Sequence, residues 1–180
     1  EMMAGVAFIL SFFILSSIID IPFSLYRTFK LEAEYGFNNS TMGLFFSDMI
    51  KQSVLMIAIG APLLMGALWL MGSAGELWWL YLWAAWMGFT LLMMWAYPAF
   101  IAPVFNKFTP LEDVALKDRV ESLLSRCGFK SQGIFVMDGS RRSGHGNAYF
   151  TGLGSNKRIV FFDTLLKTLN EDQIEAVLAH

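Results

Sequence analysis

Cysteine, histidine and charge are all scarce in this chain. The single cysteine, Cys127, excludes an intrachain disulfide and any cysteine zinc cluster. Two histidines, His145 and His180, are too few for a complete His-rich metal site. Only 16% of the 180 residues are charged and 56% are hydrophobic, whereas an average soluble domain carries roughly 25% charged residues. That apolar excess excludes a wholly water-soluble fold. A net charge of −2 gives no electrostatic footprint for nucleic acid, so no nucleic-acid partner is expected. Internal repeats and low-complexity stretches are also absent.

The few charges are unevenly spread. Uncharged runs cover residues 2–19, 52–75 and 77–106. A membrane-spanning helix needs about 20 mainly apolar residues, so three transmembrane helices are predicted near residues 2–20, 52–72 and 77–100. The first run has no basic leader and no small-residue cleavage site before Asp20, which argues against a signal peptide. Pro62 in the second run is tolerated because membrane helices re-satisfy freed backbone groups through neighbours. The third run has Trp78, Trp79 and Tyr81 near its start and Trp95 and Tyr97 near its end, the distribution of an interfacial aromatic belt. Residues 1–105 hold only Arg27, Lys30 and Lys51 of the 13 basic residues. All 13 lie on the face formed by the 21–51 connection and residues 106–180, and the short Gly72–Glu76 loop has none. The positive-inside bias places the basic face in the cytoplasm.

This divides the chain into a membrane domain, 1–105, with a cytoplasmic connection near 21–51, and a mixed-charge segment, 106–180. In the connection, Phe23, Tyr26, Phe29 and Lys30 recur at helical spacing, Gly36 to Asn39 breaks the helix, and Ser40 or Thr41 caps the next one. The simpler reading of this connection is an interfacial amphipathic helix. The functional reading is a wall of a substrate site, packed on the cytoplasmic segment.

In that segment, Thr109, Pro110 and Glu112 predict a helix start with Thr109 as N-cap, and Gly128 predicts its end. Cys127, near that end, reads as a packing residue. Strand-like runs at Ile134–Met137, 147–151 and 159–162 are separated by turn-rich stretches and predict a small antiparallel sheet. Asn170 and Gln173 form a capping box for a last helix whose apolar face is Ile174, Val177 and Leu178. His180 falls off that face, toward Gln173 and Ala176. The chain stops in mid-helix without a cap, so a fragment of a longer protein is expected.

Several segments, in this order and beside the membrane spans, carry a specific likeness. They are Glu32-Ala-Glu-Tyr-Gly-Phe-Asn38, Asp48-Met-Ile-Lys51, Phe105-Asn-Lys-Phe-Thr-Pro-Leu-Glu112, Asp138-Gly-Ser140, Gly146-Asn-Ala-Tyr-Phe-Thr-Gly152, Lys157-Arg-Ile-Val-Phe-Phe-Asp-Thr-Leu-Leu166 and Glu175-Ala-Val-Leu-Ala-His180. The chain resembles the integral-membrane zinc metalloproteases that include the type I CAAX prenyl protease and, more distantly, the HtpX heat-shock protease. The resemblance implies a mainly α membrane protein whose transmembrane helices lead into the start of a small α+β zincin-like cytoplasmic domain. It also implies one Zn2+ per full-length chain, with His180 as the first ligand of a His-Glu-x-x-His helix. The general-base Glu would follow His180, so no catalytic residue is expected within the chain, and the chain alone is expected to be inactive. In zincin-like proteases an edge strand pairs with the extended substrate. By that likeness Asn147, Ala148 and Tyr149 bind a peptide or protein substrate by strand addition; the simpler reading is an ordinary edge strand with Asn147 completing a turn. His145 reads as a solvated loop residue, because no second ligand is spaced near it. Asp163 reads as a helix cap or an orienting group.

The enzymatic expectation is therefore a membrane-embedded zinc metalloendopeptidase acting on membrane-associated or prenylated substrates, in a bacterial inner membrane or an endoplasmic reticulum. The alternative is a non-catalytic membrane scaffold, or an inactive homologue, that binds peptides by strand addition. A transporter segment fits less well, because the three apolar runs carry none of the charged groups that ion pathways use.

Overall fold

The computed structural model describes residues 2–129, 131–152 and 157–179 and divides into two compact units, 1–35 with 40–91, and 36–39 with 92–180. Three long apolar helices account for most of the first. Helix α1 (Met2–Tyr26) continues through a π-helical turn (Arg27–Leu31) into the short α2 (Glu32–Glu34). Helix α3 covers Met42–Ser73, and α4 (Trp78–Ala96) continues through a second π-helical turn (Tyr97–Ile101) into α5 (Ala102–Phe105). All three stretches are long and apolar enough to span a membrane: Met2–Glu34, Met42–Ser73 and Gly75–Phe105. Only 6%, 0% and 11% of their most apolar windows are buried within the chain. So much apolar surface requires lipid or further helices around it.

The spans extend beyond the uncharged runs. The helix continues through Pro22 and Arg27 to Glu34 where a separate interfacial helix was expected, because leaving backbone groups unpaired near a bilayer costs more than carrying a few charges on the last turns. Thr41 caps α3 as predicted, its hydroxyl accepting from the Leu44 N–H at 3.2 Å. Where α1 and α3 pack, a Cβ added at Gly5 would fall 3.2 Å from Leu68 Cδ1, a close approach that a small residue permits between membrane helices.

The second unit contains a four-stranded sheet, β1 (Phe108–Pro110), β2 (Ile134–Met137), β3 (Ala148–Thr151) and β4 (Arg158–Phe162), in the order β1-β2-β4-β3. The expected antiparallel sheet is in fact mixed. β1 and β3 run antiparallel to their neighbours, but β2 and β4 are parallel. The sequence carries the reason: Ile159-Val160-Phe161 is a continuous apolar run, as suits a central strand covered on both faces, and its members are 0%, 2% and 0% exposed.

Helices α6 (Val114–Arg126), α7 (Asp163–Thr168) and α8 (Glu171–Ala179) accompany the sheet. Leu116, Val120 and Leu124 of α6, Leu165 of α7 and Ile174 of α8 join Ile134, Ile159 and Phe161 in one core, with Leu178 partly buried against it. Val177, expected on the same face, is 45% exposed.

The start of α6 also differs from expectation. Thr109 and Pro110 lie in β1, paired with Val136 and Phe135, and Leu111 N–H bonds the Ile134 carbonyl at 3.0 Å. The helix cap is Asp113, whose carboxylate accepts from Leu116 N–H at 3.1 Å. Sheet pairing outcompetes the Thr-Pro helix start, and Pro110, which lacks an N–H, sits at the end of an edge strand. Gly128 ends the helix at φ +66°, as its position predicts. Cys127 is exposed and does not pack as expected.

Candidate functional site

The residues expected to bind substrate lie at the sheet's free edge. β3 pairs only with β4 among the described residues, with Ala148 opposite Phe161 and Tyr149 opposite Val160. The Phe162 N–H bonds the Asn147 carbonyl at 2.9 Å, which fixes the ladder phase. By the alternation of antiparallel pairs, Ala148 and Phe150 turn their backbone groups outward. The Ala148 N–H is taken locally by the Asn147 side-chain oxygen at 2.8 Å. Asn147 is exposed, and its amide NH2 has no partner among the described residues. Ala148 and Tyr149 are half-buried, so the strand is firmly seated while its outer edge stays open.

The approach to this strand is pinned by the membrane-side connection. Phe37 stacks on His145 with ring centroids 4.1 Å apart. Gly144 N–H bonds the Phe37 carbonyl at 2.8 Å, and Asn39 N–H bonds the Arg142 carbonyl at 3.1 Å. Arg142 also donates to the Asn106 side chain at 2.8 Å and to the Phe105 carbonyl at 2.6 Å. Gly36, at φ +73°, makes the turn that delivers Phe37. The Gly-Phe-Asn cluster read as a breaker is thus also a bracket on the loop before β3. His145 is an exposed residue, but its ring stacks on Phe37 and its carbonyl accepts from the Thr164 hydroxyl at 2.8 Å.

Asp163 caps a different turn from the one expected. It opens α7, yet its carboxylate accepts from the backbone N–H of Ser140 at 2.8 Å and from the Ser140 hydroxyl, with Lys167 at 3.3 Å. It thereby ties the Asp138-Gly-Ser140 turn to the end of β4. Gly139 is required there, since a Cβ would fall 2.6 Å from the Phe162 ring. Burial pushes the Asp163 carboxyl up, but the two Ser140 hydrogen bonds and Lys167 outweigh it, and the net pKa lies below the ordinary value. A depressed folded pKa contributes stability that is present above the unfolded value, about 3.9, and lost as pH falls through the folded one. Asp163→Asn is expected to lower the melting temperature at neutral pH and to flatten its decline below about pH 4. Thermal scans across pH check this; parallel curves for the two proteins would show that Asp163 has no linked role.

Helix α8 is held from its first turn. Asn170 and Gln173 exchange the predicted capping bonds, at 2.9 and 3.0 Å. Arg119 of α6 reaches Glu171 at 3.1 Å, Asp172 at 2.5 Å and Glu175 at 3.0 Å, and Arg126 reaches Glu175 at 3.0 Å. The carboxylates, Asp172 foremost, raise the Arg119 pKa further above its already high ordinary value. Sequence reasoning missed this cluster, because more than 40 residues separate the partners and no local pattern announces the pairing. It anchors the helix that leads to His180, and His180 itself lies outside the described residues. Among the described residues no group of three His, Cys, Asp or Glu side chains is placed to hold a metal ion. Glu175, the acid nearest the end of α8, is committed to Arg119 and Arg126. The described residues therefore do not make a metal site by themselves.

Comparison with known proteins decides the family. Residues 1–107 match the family described as "CAAX prenyl protease N-terminal, five membrane helices", and residues 110–180 match "Peptidase family M48". The chain belongs to the M48 peptidase family. A CAAX prenyl protease 1 homolog of Arabidopsis thaliana is 44% identical over 181 residues, covering 100% of this chain and 43% of that protein. CAAX prenyl protease 1 of Saccharomyces cerevisiae is 48% identical over 169 residues, covering 92% of this chain and 37% of that protein. The crystal structure of S. mikatae Ste24p matches with a TM-score of 0.94 at 44% identity, over 100% of this chain and 42% of that one. The chain thus spans about two fifths of the length of these M48 relatives. Together with the three apolar helices, the match shows an integral membrane protein of this family, with a mainly helical fold leading into a small sheet region.

Proposed function

We propose that the full-length protein is a membrane zinc metalloendopeptidase that cleaves prenylated, membrane-associated proteins, and that this chain supplies its first membrane spans, its substrate-pairing strand and one metal ligand. The carrying observation is β3: a seated edge strand, open on its outer side, in a chain whose relatives are named CAAX prenyl proteases. On this reading residues 1–105 form the membrane domain and residues 106–180 the beginning of the protease domain. The Ala148 carbonyl and the Phe150 backbone groups are offered to an extended substrate, Asn147 adds a side-chain donor, and Tyr149 holds the strand by burial on the sheet's second face. His180 is the ligand that this chain provides. Zinc at such a site lowers the pKa of its bound water toward neutrality, which makes it a hydrolytic nucleophile. The basic face, with both the 21–51 connection and the protease segment, is cytoplasmic. The presence of Gly36–Asn39 in the same compact unit as β3 supports placing them on one side.

One experiment tests chemistry and sidedness together. Full-length protein is placed in sealed vesicles of known orientation and given a prenylated peptide from outside. Cleavage is expected only where the basic face is outward, and a zinc chelator is expected to stop it. Peptide binding without cleavage, in either orientation, would favour the scaffold reading.

A further inference from the structure

The sheet's second face carries a shallow, open recess, apart from the outer strand edge to which the proposed proteolysis assigns the substrate. Tyr97 and Pro98, at the exit of the third span, line it together with Phe135, Tyr149, Thr151 and Arg158 of the sheet. The strand registers account for the shared face: Phe135 pairs with Val160 and Tyr149 with Val160, and Thr151 with Arg158, so these side chains alternate away from the Ile159 and Phe161 core. Among the described residues no aspartate or glutamate lines the recess.

Arg158 is the feature that a packing role does not explain. It is half-buried, and its guanidinium lies over the Phe135 ring at 5.5 Å. Among the described residues it has no carboxylate partner, whereas Arg119, Arg126 and Lys167 do. A partly desolvated guanidinium without a counter-charge is costly, and its fork of donors matches a phosphate. Thr151 stands opposite Arg158 in the strand register and lines the same recess, so its hydroxyl is a second donor beside the guanidinium.

We propose that this recess binds the phosphate of an anionic phospholipid, with Arg158 as its main contact and the hydroxyl of Thr151 as a supporting donor. Charge complementarity and position together select this occupant. Tyr97 and Pro98 lie in the last third of the membrane span Gly75–Phe105, toward the end that leads to the basic face, where lipid phosphates are expected. Trp95, Tyr97 and Phe100 are exposed there, as interfacial aromatics are. The lipid's acyl chains would lie along the same span. Such a lipid would fasten the sheet to the bilayer surface next to β3. The inference rests on membrane insertion and not on the proteolytic reading.

The test uses full-length protein reconstituted in phosphatidylcholine vesicles with and without phosphatidylglycerol, and native mass spectrometry to count the lipid retained after extraction. Wild type is expected to retain phosphatidylglycerol selectively. Arg158→Gln is expected to lower that selectivity about tenfold, the loss of one charge-assisted contact. Arg158→Lys, which keeps the charge and loses the fork, should fall between them. Thr151→Val provides an arm that does not touch the charge, and a severalfold loss is expected. Equal retention by wild type and all variants overturns the proposal. Displacement of the lipid by inorganic phosphate at similar concentration also overturns it, because the site would then be a free-anion site.

Discussion

Replacing His180 with alanine in the full-length protein is expected to abolish peptide cleavage and remove bound zinc while leaving the protein membrane-inserted and folded. On the proposed reading His180 is one of three protein ligands, and loss of one would leave the metal weakly held. Substitutions of groups that merely orient a ligand already cost about 10- to 100-fold in metal affinity or activity, so loss of a ligand should exceed about 100-fold. Folding should survive, because α8 is secured elsewhere. Its first turn is capped by Asn170 and Gln173 and paired with Arg119, and Ile174 is 2% exposed in the core. Zinc content by elemental analysis, cleavage rate and circular dichroism separate these effects. A variant that keeps stoichiometric zinc would remove His180 from the ligand set; a variant that loses zinc and still cleaves would sink the metal-dependent reading.

Asn147→Ala should weaken substrate use and leave the metal in place. The Asn147 side-chain oxygen accepts from the first outward N–H of the edge strand, that of Ala148, and the residue is exposed at the entry to that strand. Removing it deletes one donor to the substrate and loosens the strand's entry. A hydrogen bond is worth about 1 kcal/mol net, so KM should rise about five- to tenfold with zinc content unchanged. Asn147→Asp gives the sharper comparison. It keeps the acceptor for Ala148 and loses the donor, so it should share the defect if the NH2 contacts substrate. Full activity in Asn147→Asp would restrict Asn147 to a local turn role, and zinc loss in either variant would mean that the strand supports the metal site.

The two proposed site residues were read from the sequence on different grounds. His180 stood out only through the likeness carried by Glu175-Ala-Val-Leu-Ala-His180, since a lone histidine at the end of an amphipathic segment carries no signal of its own. The 147–151 run showed strand character through its composition and flanking glycines, but its place at the sheet's edge is a fact of strand order. Strand order depends on pairings between residues more than 20 apart, as in Ile134 with Ile159, and local periodicity does not encode them.

Hydrophobicity and charge spacing by themselves determined the three spans, because the cost of placing charge or unpaired backbone in hydrocarbon dominates every local preference. The caps at Thr41 and Asn170 and the stop at Gly128 were equally local, each resting on groups within a few residues. Only the tertiary structure decided that Thr109 and Pro110 form a strand, that β2 and β4 run parallel, that Asp163 caps the Ser140 turn, and that Phe37 brackets His145. In each case a partner distant in sequence outweighs the local preference, and hydrogen-bond satisfaction across the whole unit selects the pairing.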